Sequence, residues 1–112
     1  MHWTSLQTIE QLEELKRESA QQKILIFKHS TRCSISRTSL DRLERNWNEE
    51  FPNTKSYFLD LLSYRDVSNA IAEHFSIAHE SPQVLIISNG KSIYDRSHFE
   101  IDFQQIKTIL KN

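Results

Sequence analysis

Leu6, Ile9, Leu12 and Leu15 recur at helical spacing with Glu10, Glu13, Glu14, Lys16 and Arg17 between them, so the chain opens on an amphipathic helix. The polar Ser19 to Gln22 stretch ends it. Ile24-Leu25-Ile26-Phe27 is then a continuous apolar run of strand-forming residues, the pattern of a strand buried on both faces. Polar residues Lys28 to Arg32 lead out of it. From Ser34 to Trp47, Ile35, Leu40, Leu43 and Trp47 share one face of a second helix, which sets Cys33 at a strand-to-helix junction.

Pro52-Asn53 punctuates the chain, and Tyr57-Phe58-Leu59-Asp60-Leu61-Leu62 reads as the next strand. Ser63 or Asp66 is positioned to cap a third helix with the stripe Val67, Ala70, Ile71 and Phe75. A polar connection from Ser76 to Ser81 reaches Pro82. Val84-Leu85-Ile86-Ile87, the Asn89-Gly90 turn and Lys91 to His98 form a hairpin signal, because Asn-Gly tolerates the positive φ angles of a tight turn. Asp102 caps a last helix whose core face is Phe103, Ile106, Ile109 and Leu110.

After the first helix the order is βαβ, then α, then ββα. By the right-handed crossover rule this builds a mixed four-stranded sheet with helices on both faces, the α/β arrangement of thioredoxin. At 112 residues the chain fits a single domain over residues 1–112 with one hydrophobic core.

Composition narrows the function classes. Lys+Arg 14 nearly balances Asp+Glu 15, so net charge gives no support to nucleic-acid binding. No apolar run approaches the roughly 20 residues of a membrane-spanning helix, and the amino terminus lacks a signal-peptide layout, so a cytoplasmic protein without membrane attachment is expected. One cysteine excludes an intramolecular disulfide and a thiolate-built structural zinc site within one chain. A monomer is expected.

Cys33 is the candidate nucleophile. The thiolate attacks disulfides, and a helix start favours negative charge through its unpaired N–H groups and the macrodipole. Its neighbours Ser30, Thr31, Arg32, Ser34 and Ser36 do not resemble a core environment. Arg32 and His29 are candidates for adding positive charge near the sulfur. Ser36 stands where a dithiol protein carries its resolving cysteine, offering a hydroxyl to the sulfur or a helix cap. With one thiol, the small-thiol adduct on Cys33 is released only by another molecule.

Ser81-Pro82 immediately precedes a buried-strand pattern, and a cis bond facing Cys33 is expected there. Such a bond exposes the Ser81 backbone for pairing with an extended client, in the manner of strand addition.

Phe27-Lys28-His29-Ser30-Thr31-Arg32-Cys33-Ser34-Ile35-Ser36, together with His79-Glu80-Ser81-Pro82-Gln83-Val84, resembles the YtxJ-type monothiol bacilliredoxins across essentially the whole domain. The resemblance implies a thioredoxin fold and removal of bacillithiol from S-bacillithiolated client proteins. Cys33 is then the attacking residue and Ser81-Pro82 the cis-proline site. Bacillithiol is a low-molecular-weight co-substrate, and no metal or bound cofactor is implied. Thr31, Arg32, Ser34, Ser36, Ser81 and Pro82 are the residues expected around the substrate. The family motif usually has proline after the cysteine; here Ser34 adds a hydroxyl and a backbone N–H.

Two other readings stand beside this one. A glutaredoxin-like protein would hold an iron-sulfur cluster between two subunits through Cys33, but lacks here the expected glycine-phenylalanine pair after the cysteine. A non-catalytic thioredoxin-fold adaptor would leave Cys33 idle. His29 and His79 together are candidate metal ligands or acid-base groups, with hydrogen-bonded structural roles as the plainer reading. Trp3, Trp47, Phe51 and Phe103 are assigned to the core.

Overall fold

The computed structural model describes residues 2–47 and 54–111. The expected Pro52-Asn53 turn and Phe51 lie outside the described residues. The chain runs β1 (Trp3–Ser5), α1 (Ile9–Glu18), β2 (Ile24–His29), α2 (Ser34–Asn46), β3 (Lys55–Asp60), α3 (Arg65–Phe75), β4 (Gln83–Ser88), β5 (Lys91–Ser97) and α4 (Phe103–Lys111), with a 3-10 turn at His98–Glu100. Among the described residues no helix is long and apolar enough to cross a membrane.

The sheet has five strands in the order β1-β3-β2-β4-β5, where four were expected. The addition is β1, a three-residue edge strand parallel to β3. It is held as much by its side chain as by its ladder. Trp3 packs edge-on to Phe58 at 5.9 Å and tilted on Phe27 at 6.1 Å, and its indole Nε1 donates to Glu44 Oε2 at 3.0 Å. Leu6, expected within the first helix, precedes it and is buried; its N–H donates to the Phe58 carbonyl. The helix starts at Ile9 because Thr8 and Gln11 form a reciprocal capping box.

β2 is central, parallel to β3 and antiparallel to β4, as its continuous apolar run requires. Alternation along it divides the core. Ile24 and Ile26 face α1 and α3, packing with Leu12, Leu15, Leu59, Ile71 and Leu85. Leu25 and Phe27 face α2 and α4, packing with Leu40, Leu43, Ile86 and Ile106. Trp3, Trp47 and Phe103 are partly buried against this second cluster.

The β4–β5 hairpin forms through Asn89 (φ 52°) and Gly90 (φ 74°), the positive φ values that Asn-Gly supplies. The Ser19 hydroxyl accepts from the Gly90 N–H at 2.8 Å, tying the hairpin tip to the end of α1. β5 stops at Ser97 because His98 turns left-handed at φ 54°. Asp102 caps α4 as expected, accepting from the N–H groups of Gln104 and Gln105. α3 differs: neither Ser63 nor Asp66 caps it. Its N-cap is Tyr64, and the Ser63 hydroxyl instead donates to Asp60, whose carboxylate also accepts from the Leu62 and Ser63 N–H groups.

Candidate functional site around Cys33

β2 and β3 end together, with His29 opposite Asp60, and the chain leaves β2 through Ser30, Thr31 and Arg32. The turn closes when the Cys33 N–H donates to the Ser30 carbonyl at 3.1 Å. Cys33 has extended backbone (φ −109°, ψ 119°) and is the N-cap of α2, its carbonyl accepting from Arg37 N–H. The first helical turn leaves N–H groups without intrahelical acceptors. Among the described residues no side-chain hydrogen bond caps them. Cys33 is partly exposed, and Thr31, Arg32 and Ser34 beside it are exposed. These four therefore gather in one surface turn.

Ser36 behaves differently from the expectation. It is expected at the substrate, and the structure buries it with no exposed surface. Its hydroxyl lies 2.6 Å from His29 Nδ1 and accepts from the Ser30 N–H at 3.1 Å. No hydrogen bond joins it to the Cys33 sulfur among the described residues. Since the Ser30 N–H fills one lone pair, the hydroxyl is free to donate to Nδ1 of a neutral imidazole. Ser36 thus fastens the start of α2 to the end of β2 beneath the sulfur.

His29 is itself 4% exposed. Burial first, and then the Arg37 guanidinium, lower its pKa from the ordinary value, so it is neutral at pH 7. It is therefore a poor candidate for adding positive charge near the sulfur. Nor do His29 and His79 form a joint ligand pair. Alternation points His29 toward α2, whereas His79 meets Lys28, which points toward α3. Among the described residues no group of three or more His, Cys, Asp or Glu side chains could hold a metal ion.

The Ser81–Pro82 peptide bond is cis. The β2–β4 register sets Lys28 opposite Gln83, so Pro82 comes next to the end of β2 from which the Cys33 turn departs. The Pro82 carbonyl accepts from the His98 N–H at 3.0 Å, which brings the left-handed turn after β5 to the same edge. On either side of Pro82, Ser81 Oγ and Gln83 Oε1 are buried without a hydrogen-bond partner among the described residues.

Three polar residues of this end went unassigned in the sequence: Lys28, Ser68 and Gln83. All are buried. Lys28 Nζ lies 2.8 Å from His79 Nδ1, Ser68 Oγ lies 3.3 Å from the same nitrogen, and Gln83 Nε2 donates to the Ala78 carbonyl at 3.2 Å. Burial lowers the Lys28 pKa to about 8, against a nearby Glu80 that raises it. The available signal was the period of two: Lys28 continues the Ile24, Ile26 face.

This geometry has close counterparts. The family model described as "Monothiol bacilliredoxin BrxC" matches residues 4–106. A solved protein described as an oxidoreductase with a thioredoxin fold superposes with a TM-score of 0.81 at 28% identity, over 96% of this chain and 92% of that one. Fasciola hepatica thioredoxin gives a TM-score of 0.71 at 18% identity, covering 96% and 95%. Malassezia sympodialis thioredoxin gives 0.75 at 11%, covering 98% and 89%; at such identities the likeness shows the fold alone. The fold is that of thioredoxin, and thiol redox chemistry is what the match supports. The chain belongs to the monothiol bacilliredoxin BrxC family.

Proposed function

We propose that this protein is a monothiol thiol-disulfide oxidoreductase that removes bacillithiol from protein mixed disulfides, with Cys33 Sγ as the attacking atom. The carrying observation is that the chain's single cysteine is a partly exposed helix N-cap in the turn that leaves β2, at the strand end that the β2–β4 register brings next to Pro82. The thiolate is the form of the sulfur that attacks a disulfide.

In the first step the Cys33 thiolate attacks the bacillithiol sulfur of the mixed disulfide. A new S–S bond forms on Cys33, the old one breaks, and the client leaves as a thiolate that takes a proton from solvent. The number of disulfides is unchanged. Thr31, Arg32 and Ser34 border the incoming small thiol, and the Ser81 backbone docks the extended client. Because Ser36 occupies the place of a resolving thiol and is turned inward to His29, the adduct waits for a second small thiol. Attack by that thiol on the bacillithiol sulfur restores Cys33 and yields the small-thiol disulfide.

A bacillithiolated client incubated with the reduced protein is expected to regain its free thiol, while Cys33→Ala leaves it blocked. Equal release by the two proteins would refute the proposal, and release confined to glutathionylated clients would reassign the small thiol.

A further inference from the structure

One buried cation takes no part in this chemistry. Lys28 has no exposed surface, and alternation along β2 places it on the α3 side of the sheet, whereas the Cys33 turn enters α2 on the other side. An apolar side chain of similar volume would fill such a position without the desolvation cost of an ammonium group. The hydrogen bonds of Lys28 indicate what its charge does there.

Lys28 and Gln83 face each other across β2 and β4 in register. From that one cross-strand pair, Lys28 Nζ reaches His79 Nδ1 at 2.8 Å and Gln83 Nε2 reaches the Ala78 carbonyl at 3.2 Å. Ser68 Oγ, on α3, lies 3.3 Å from the same His79 nitrogen. Burial, the Lys28 charge and Arg65 all lower the His79 pKa, which leaves Nδ1 free to accept at pH 7. Beyond Ser81, the Pro82 carbonyl is held by the His98 N–H at 3.0 Å. The backbone of Ser81 is thus held from both directions, and the residue itself is partly exposed.

We propose that Lys28, His79 and Gln83 are positioning residues, a clasp anchored on the buried Lys28–Gln83 pair that holds the 78–82 backbone where an extended disulfide client docks beside Cys33. The proposal rests on the docking reading above. Being on the far face of the sheet, the clasp acts on where the client binds and leaves the sulfur's own reactivity alone.

The test uses Lys28→Met, His79→Leu and His79→Asn in the full chain; His79 is an exposed position, so its variants keep the fold if Lys28→Met does not. Asn presents an amide oxygen near the place of Nδ1 and serves as the conservative rescue. For Lys28→Met and His79→Leu, backbone amides of residues 78–81 should exchange faster with deuterium. KM for a bacillithiolated client should rise about tenfold, the effect of losing one charge-assisted hydrogen bond, with kcat and the rate of Cys33 alkylation by iodoacetamide held. His79→Asn should stay near wild type.

Unchanged exchange across 78–81 in His79→Leu overturns the clasp whatever the turnover shows. So does faster exchange with KM unmoved, or alkylation that slows in step with kcat, which would put the pair in contact with the sulfur. If the wild type releases no bacillithiol, the proposed function fails, and the exchange data still judge the clasp.

Discussion

His29 Nδ1 lies 2.6 Å from the Ser36 hydroxyl, beneath the turn that carries Cys33. The contact joins the last residue of β2 to the first turn of α2, and the Ser30 N–H completes it. A thiol at position 36 would have made a second redox centre; a hydroxyl there makes a rivet.

Ser36→Ala should therefore cost stability more than chemistry. The substitution strands the Ser30 N–H and His29 Nδ1 in a buried site, a loss of about 1–3 kcal/mol. Urea unfolding should show a lower midpoint with an unchanged slope, and the surviving folded protein should still react at Cys33. An unaltered midpoint would mean that the hydroxyl contributes nothing to the junction.

Acid should weaken the fold through two imidazoles that resist protonation. His29 and His79 both have pKa values lowered from 6.5, chiefly by burial. Unfolded chains then bind protons that folded ones refuse, so the stability present above pH 6.5 is lost as pH falls from there toward the folded values. Denaturation at pH 7.5 and 5.5 should show this drop, and His29→Gln should flatten it. A variant as acid-sensitive as the wild type would contradict the assignment.

Lys28 works in the opposite pH range. Its charged form is disfavoured by burial, with a folded pKa of about 8 against an ordinary 10.5. Both states are protonated below pH 8, where the penalty is complete. Between pH 8 and 10.5 the folded protein sheds the proton first, and the penalty disappears. The stability of the wild type relative to Lys28→Met should rise by about 3 kcal/mol over that interval. A constant difference would show that Lys28 is not desolvated.

Trp3 tests the unexpected strand. Its ring covers Phe58 and Phe27 and its indole reaches Glu44. Trp3→Ala should destabilise by about 2 kcal/mol, less than a fully buried aromatic because the side chain is only partly covered. Calorimetry should record the fall in melting temperature, and no fall would mean that β1 is not anchored by this ring.

Much of this molecule is readable from its residues. The runs at Ile24 and Val84, the Asn89-Gly90 turn, the Asp102 cap and the place of Cys33 each carry a strong local signal, and the structure has all of them. β1 gave no such signal, because three residues cannot establish a period and its hold comes from distant rings. Thr8 and Gln11 have the residue types of a capping box, but the helical spacing of Leu6 before them hides where α1 starts. Lys28 and His29 read as a polar exit from β2, yet they continue its alternation and are buried, since partners at His79 and Ser36 supply what water would. Those partners lie far along the chain or across a turn, where sequence alone does not pair them.

The most direct test asks which half of the mixed disulfide stays on Cys33. One equivalent of bacillithiolated client should, by intact mass and peptide mapping, give one bacillithiol on Cys33 and a free client thiol, and the adduct should persist until reduced small thiol is added. Client protein trapped on Cys33, or an adduct that clears without added thiol, would contradict the account.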